Sequence, residues 1–143
     1  MSNKIDKILA EISAGELFDK ITILEIKKTK ISNKEKLIEI NKELSSLNES
    51  VKKFIPDQSN ISKYINDLKN INLKLWDIED GKRAAEKNKN FDEKFIKLAR
   101  NVYKFNDERA KIKLAINNSL GSSIKEVKSY EWLVRLLARN YRS

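Results

Sequence analysis

Ile12-Ser-Ala-Gly-Glu-Leu-Phe-Asp-Lys-Ile-Thr-Ile-Leu-Glu-Ile-Lys27 is the stretch that decides the fold. Ser13 and Glu16 stand at capping-box spacing, with the Ser13 hydroxyl placed to accept from the Glu16 backbone N–H. Behind that cap, Leu17, Phe18, Ile21, Ile23, Leu24 and Ile26 make the helix apolar almost all round. Such a helix belongs inside a core. It also carries Glu16, Asp19 and Glu25, and acids are rarely buried without a partner. The block therefore predicts a central helix whose carboxylates are met by other elements.

The rest of the chain reads as helices with legible ends. Helix A covers about 14–31. Ser32-Asn-Lys-Glu35 is a second capping box that starts helix B, and helix B runs to Phe54. Pro56 disfavours a helical conformation at Ile55 and closes it. Helix C covers about 60–88. Asn90-Phe-Asp-Glu93 is a further cap pattern, helix D runs to Leu120, and Gly121 suits a left-handed C-cap. Leu37, Ile40, Leu44, Leu47, Val51 and Phe54 alternate spacings of three and four in helix B. Ile61, Tyr64, Leu68, Ile71, Leu75 and Ile78 do so in helix C. In helix D the series is Phe91, Phe95, Leu98, Val102, Phe105, Ile112 and Ile116, with Arg109 in one slot. These are heptad seams of helices packed at a shallow angle. Short connections make neighbours antiparallel. The expected fold is all-α, an up-down-up-down four-helix bundle forming one domain. It has a lead at 1–12, a bundle core at 13–121 and a C-terminal helical appendage at 122–143. Ile5, Ile8, Leu9 and Ile12 favour helix over an extended lead.

Composition narrows the chemistry. Only three glycines and one proline interrupt the chain, which fits long helices and argues against an all-β fold. Absence of cysteine removes disulfides and thiolate chemistry; absence of histidine removes the usual near-neutral base and the commonest metal ligand. Zinc and haem sites are not expected, and Mg²⁺ on carboxylates is the metal chemistry left open. No run approaches the roughly 20 apolar residues of a membrane span, and the N-terminus lacks a signal-peptide core. A cytoplasmic setting is expected. The net charge of +9 invites nucleic acid as a partner, but 24 of the 30 basic residues are Lys. Lys, Asn and Ile all have A/T-rich codons, so base composition explains the excess without a polyanion. The chain carries no recognised nucleic-acid motif.

Helix heights can be used to place charges. If C and D fold back at 88–91, Glu79 lies level with Arg100 and Arg109 level with Asn70. Stepping from A through B to C puts the start of A level with residues 66–69, which brings Glu16 and Asp19 to Arg109 and Lys113. Two ion-pair layers follow, Glu79 with Arg100 and Glu16/Asp19 with Arg109. They serve either as register-setting pairs or as a pocket for a small anionic ligand, with or without Mg²⁺. Gly81 inside helix C either permits close helix approach beside Asp77, Glu79, Asp80 and Arg83 or is a tolerated kink. Glu16-x-x-Asp19 and Asp77-x-x-Asp80 each put two acids on one face. They match the Glu-x-x-Glu and Glu-x-x-Asp pairs of all-α nucleotide pyrophosphatases poorly. Arg83, Arg100 and Arg109 likewise lack the spacing of a dicarboxylate mutase clamp. In the tail, Tyr130, Leu133, Val134, Leu137 and Tyr141 form an apolar stripe beside Arg135, Arg139 and Arg142. Trp132 lies with them, and the segment reads as a helix docking on the bundle, a partner-binding helix or an interfacial helix against anionic lipid.

The block at 13–27, with Leu75-Trp-Asp-Ile-Glu-Asp80, Phe95-Ile-x-Leu-Ala-Arg100-x-Val-Tyr103, Asn106-Asp-x-Arg109 and Lys128-Ser-Tyr130, resembles an uncharacterised bacterial and phage domain family. The likeness spans about residues 12–130. It implies a context near sugar-transfer and cell-surface polysaccharide proteins, and no catalytic assignment. The polar residues it implies are Glu16, Asp19, Lys20, Glu25, Glu79, Arg100, Asn106, Asp107 and Arg109. The leading expectation is a helical binding or assembly module with a protein partner or self-association. The alternatives are a small Mg²⁺-dependent enzyme acting on a phosphorylated or nucleotide-sugar substrate, and nucleic-acid binding through the tail.

Overall fold

The computed structural model describes residues 4–122, and within them the fold is all-α. Helix α1 spans Ala14–Lys30, α2 Lys34–Phe54, α3 Ser62–Lys87 and α4 Glu93–Leu120. The C-terminal appendage expected at 122–143, with Trp132, Arg135, Arg139 and Arg142, lies outside the described residues except for Ser122.

Capping chemistry sets the helix ends. Ser13 accepts from the Glu16 N–H at 3.1 Å. The other half of that box is not made, because the Glu16 carboxylate turns to Lys113 on α4. Two caps fall later than the sequence pattern suggests. Asn33, not Ser32, caps α2 by accepting from Lys36 N–H at 3.0 Å. Asp92, not Asn90, caps α4 through Lys94 and Phe95. Both are good N-cap types, and the residue whose backbone is extended at the helix entry takes the role. Gly121 takes the left-handed conformation at φ 64°, and Ser122 N–H returns to the Asn117 carbonyl at 2.9 Å. Residues 4–12 are not helical, and Ile5, Ile8 and Leu9 are exposed. Their helical spacing has no neighbour to pack on among the described residues, and so short a segment does not hold a helix alone.

Helix α1 is the hub. It packs closely on α2, α3 and α4, and α3 packs on α4; α2 comes close only to α1 among the described residues. The sequence accounts for this division. Helix α1 is apolar almost all round and needs several partners, whereas α2 has a single seam. Leu17, Phe18, Ile21 and Leu24 of α1 join Ile40, Leu44 and Val51 of α2 in one core with Ile61, Leu68 and Ile116. Phe54 is the exception in the α2 seam; it is exposed, with the Lys53 ammonium 5.1 Å from its ring centre.

Helix length then matters. At about 1.5 Å per residue, the 17 residues of α1 reach about 25 Å, while the 26 of α3 and 28 of α4 reach about 40 Å. The α3–α4 hairpin is therefore longer than its cover. Ile78 is the last buried residue of α3 and Lys113 the first of α4; none between them is buried.

Candidate functional site

The start of α1 meets the end of α4. Helix N-termini leave backbone N–H groups without intrahelical partners. Here Ala14 N–H donates to the Ser122 hydroxyl at 3.3 Å, Gly15 N–H to Asn117 Oδ1 at 2.6 Å, and Glu16 N–H to Ser13. Gly15 is required at this point, since a Cβ built there collides with the Lys113 backbone carbonyl. The absence of a side chain lets the two helices touch backbone to backbone.

One turn further along α1 lies a charged layer. Asp19 is 1% exposed. It accepts from Asn72 Nδ2 at 2.9 Å and from Arg109 Nε at 2.8 Å, and Arg109 Nη2 completes a two-pronged pair. Asn72 also donates to the Thr22 hydroxyl, and Arg109 Nη1 donates to Asn106 Oδ1. Buried Lys113 donates to Glu16 Oε2 at 2.7 Å. Burial pushes the Asp19 carboxyl up, but hydrogen bonds from Arg109 and Asn72, and the charges of Arg109 and Lys113, outweigh it. The group is held below its ordinary value. No buried side-chain polar atom among the described residues lacks a partner.

Several expectations meet here and one fails. Asp19 pairs with Arg109 as expected, while Glu16 takes Lys113 and, at 3.9 Å, Lys20. Asn72, not Asn70, stands beside Asp19, because α1 packs directly on α3 and the height need not be carried through α2. The Glu79–Arg100 pair does not form. Glu79 bonds Lys82 on its own helix at 3.4 Å, and Arg100 is exposed. Height along a hairpin is legible in sequence; rotation about each helix axis is not. Glu25 pairs with Lys69 at 2.7 Å, and Asp107 is half-buried on α4. Asn72, Asn117 and Gly15 escaped sequence reasoning as site residues. Asn72 and Asn117 interrupt apolar faces of α3 and α4, and that is the signal each one left.

Beside this layer is an open groove of about 360 Å³. Ile23, Leu75 and Trp76 supply its apolar wall, and Asn72, Asn106 and Arg109 connect it to the layer. Glu79, Asp80 and Arg83 complete the rim. Four expected residues thus converge on the groove, namely Glu79, Arg83, Asn106 and Arg109. Glu16, Lys20, Glu25, Arg100 and Asp107 are not part of its lining. Among the described residues no group of three carboxylates gathers to hold a metal ion.

The model of a family of unknown function matches residues 8–143. The chain belongs to that family, DUF6165. The match extends past the 12–130 of the motif resemblance and takes in Trp132 and the three tail arginines. No curated protein and no solved structure gives a significant match.

Proposed function

We propose that this chain is a helical binding or assembly module whose ligand or partner seats in the groove between α1 and the α3–α4 hairpin. One observation carries the reading. The buried polar groups of the layer all have partners, while the neighbouring groove is open with an aromatic wall and a polar rim. Catalysis needs a positioned group left free to react. The Asp19 carboxylate is committed to Arg109 and Asn72 instead. Its role is to lock α1, α3 and α4 in register beneath the groove.

A role accessory to cell-surface sugar metabolism is the finer form of this reading. What supports it chemically is Trp76, a ring that a sugar face can cover, flanked by Asp80 and Asn106 as hydrogen-bonding groups. The formal charges on the rim, Glu79 and Asp80 against Arg83 and Arg109, balance. That favours a neutral, hydroxyl-rich ligand over a bare anion. A cytoplasmic setting goes with the reading. No helix among the described residues is long and apolar enough to cross a membrane.

The test is Trp76 fluorescence in a Trp132→Phe background, titrated with hexoses, nucleotide sugars and phosphosugars, with and without Mg²⁺. Saturable quenching by one of them, weakened in Asp80→Ala with the melting temperature unchanged, is the expected result. Turnover of a nucleotide sugar that requires Mg²⁺ would instead establish the enzyme. No response from any compound would reject a small-molecule groove.

A further inference from the structure

Where α1 begins and α4 ends, an apolar stripe stands exposed. Ile5, Ile8 and Leu9 are 76%, 78% and 87% exposed, and Ile12 is 42% exposed. Four large aliphatic side chains within eight residues form a patch rather than scattered surface apolars. Their spacing of three, one and three is that of one helix face. Segment 4–12 is nevertheless not helical, since a piece that short needs tertiary packing to hold the conformation. Phe54 belongs to the same end of the bundle. The short connection 31–33 returns α2 antiparallel to α1, and Phe54, its last residue, is exposed.

The chain itself supplies a matching stripe. Tyr130, Leu133, Val134 and Leu137 repeat the spacing of three, one and three, with Tyr141 one turn further on. At helical spacing, Lys128, Trp132, Arg135 and Arg139 fall on the side opposite that stripe. Position makes the two stripes neighbours. The Ala14 N–H donates to the Ser122 hydroxyl at 3.3 Å, so the lead joins α1 at the point where segment 123–143 leaves α4. The eight residues from Ser122 to Tyr130 reach up to about 26 Å, while a helix over 5–12 is only about 10 Å long. The exposed apolar side chains of the α4 stalk fit less well. Tyr103, Ile96 and Phe91 lie roughly 28 Å or more from Ser122 along α4, beyond that reach. Leu114 is near, but Ala110, Lys111, Asn117 and Asn118 surround it one turn to either side. The family match to residues 8–143 takes in the whole tail stripe and three of the four lead residues.

We infer that the chain's own segment 123–143 is the cover for its N-terminal lead. The stripe of Tyr130, Leu133, Val134 and Leu137 packs on Ile5, Ile8, Leu9 and Ile12 as a pair of short helices, each supplying the packing that the other lacks alone. The tether holds the tail at a millimolar effective concentration, which favours it over the lead or tail of a second copy. The contact lies at the end of the bundle where α1 starts, and it stands whether or not a small molecule binds in the groove.

The chain has no cysteine, so an introduced pair reports a single contact. Leu9 and Val134 are central in their stripes and meet whichever way the two helices run. Leu9→Cys with Val134→Cys, in the full-length chain, should form an intrachain disulfide in air, detected by mass and by non-reducing electrophoresis. Leu9→Cys with Ile38→Cys, an exposed site near the start of α2 and so at the far end of the bundle, should form one about tenfold more slowly or worse. Hydrogen exchange gives a second reading on the unaltered chain. Amides of 5–12 should exchange about tenfold or more slowly than in an unstructured peptide. Leu133→Ser with Leu137→Ser should remove that protection and leave the amides of α1 and α3 protected. Equal disulfide rates in the two pairs would overturn the inference. So would lead amides that exchange at the unstructured rate, or protection that survives the double serine variant. A disulfide formed only between chains, with a dimer in sedimentation equilibrium, would overturn it in favour of a second copy.

Discussion

Replacing Gly15 by Ala sets helix propensity against close packing. In an exposed helix the change would stabilise by up to about 1 kcal/mol, since Gly is the poorer helix former. Here the new Cβ collides with the Lys113 carbonyl oxygen and lies 3.0 Å from both the Lys113 carbonyl carbon and Asn117 Oδ1. Two of these three atoms are backbone in the body of α4, so no side-chain rotation relieves the clash. Helix α1 must move away from α4. That movement stretches the 2.6 Å bond from Gly15 N–H to Asn117, a capping contact of about 1 kcal/mol. Overpacking at a tight contact costs about 1–3 kcal/mol in addition. The net expectation is about 2 kcal/mol of destabilisation, a fall in Tm of roughly 6–8 °C. Urea denaturation followed by far-ultraviolet circular dichroism measures it, with the slope unchanged. A variant as stable as the parent, or more stable, would refute the proposed backbone contact between α1 and α4.

Gly81→Ala should behave oppositely, stabilising by up to about 1 kcal/mol, because its Cβ meets only the movable end of Leu98. Equal losses at both glycines in the same urea assay would contradict the distinction. Arg109→Met strands the Asp19 charge and should cost roughly 3 kcal/mol, while Asp19→Leu combined with Arg109→Met should recover much of it; a double-mutant cycle reads the coupling. Asp19 titrates lower in the folded chain than in the unfolded one, so its contribution is complete above about pH 4. That contribution is lost as pH falls through the lower folded value. Stability curves of wild type and Asp19→Asn should therefore converge below about pH 4, and a constant gap down to pH about 2 would count against the paired carboxylate. Asn117→Ala removes the Gly15 cap and should cost about 1–2 kcal/mol, with faster amide exchange at Gly15 as its local signature.

Sequence alone determined the helices and their order. Apolar residues at spacings of three and four define the seams. Ser13, Pro56 and Gly121 mark ends whose backbone chemistry is local, and such chemistry needs no distant neighbour. The pairing of Asp19 with Arg109 was also legible, because α1 is apolar almost all round and its acids had to be met from another helix. Tertiary structure decided what depends on rotation about a helix axis. It sent Glu16 to Lys113 and left Glu79 on Lys82, and it put Asn72 against Asp19, where the height estimate had put Asn70 level with Arg109. It also revealed that Gly15 is a contact point, which one residue without a side chain cannot announce in sequence. Finally, it left the distal seam of α3 and α4 only half-buried. Periodicity specifies a face that wants burial, but only the packed lengths of α1 and the hairpin show where the cover ends.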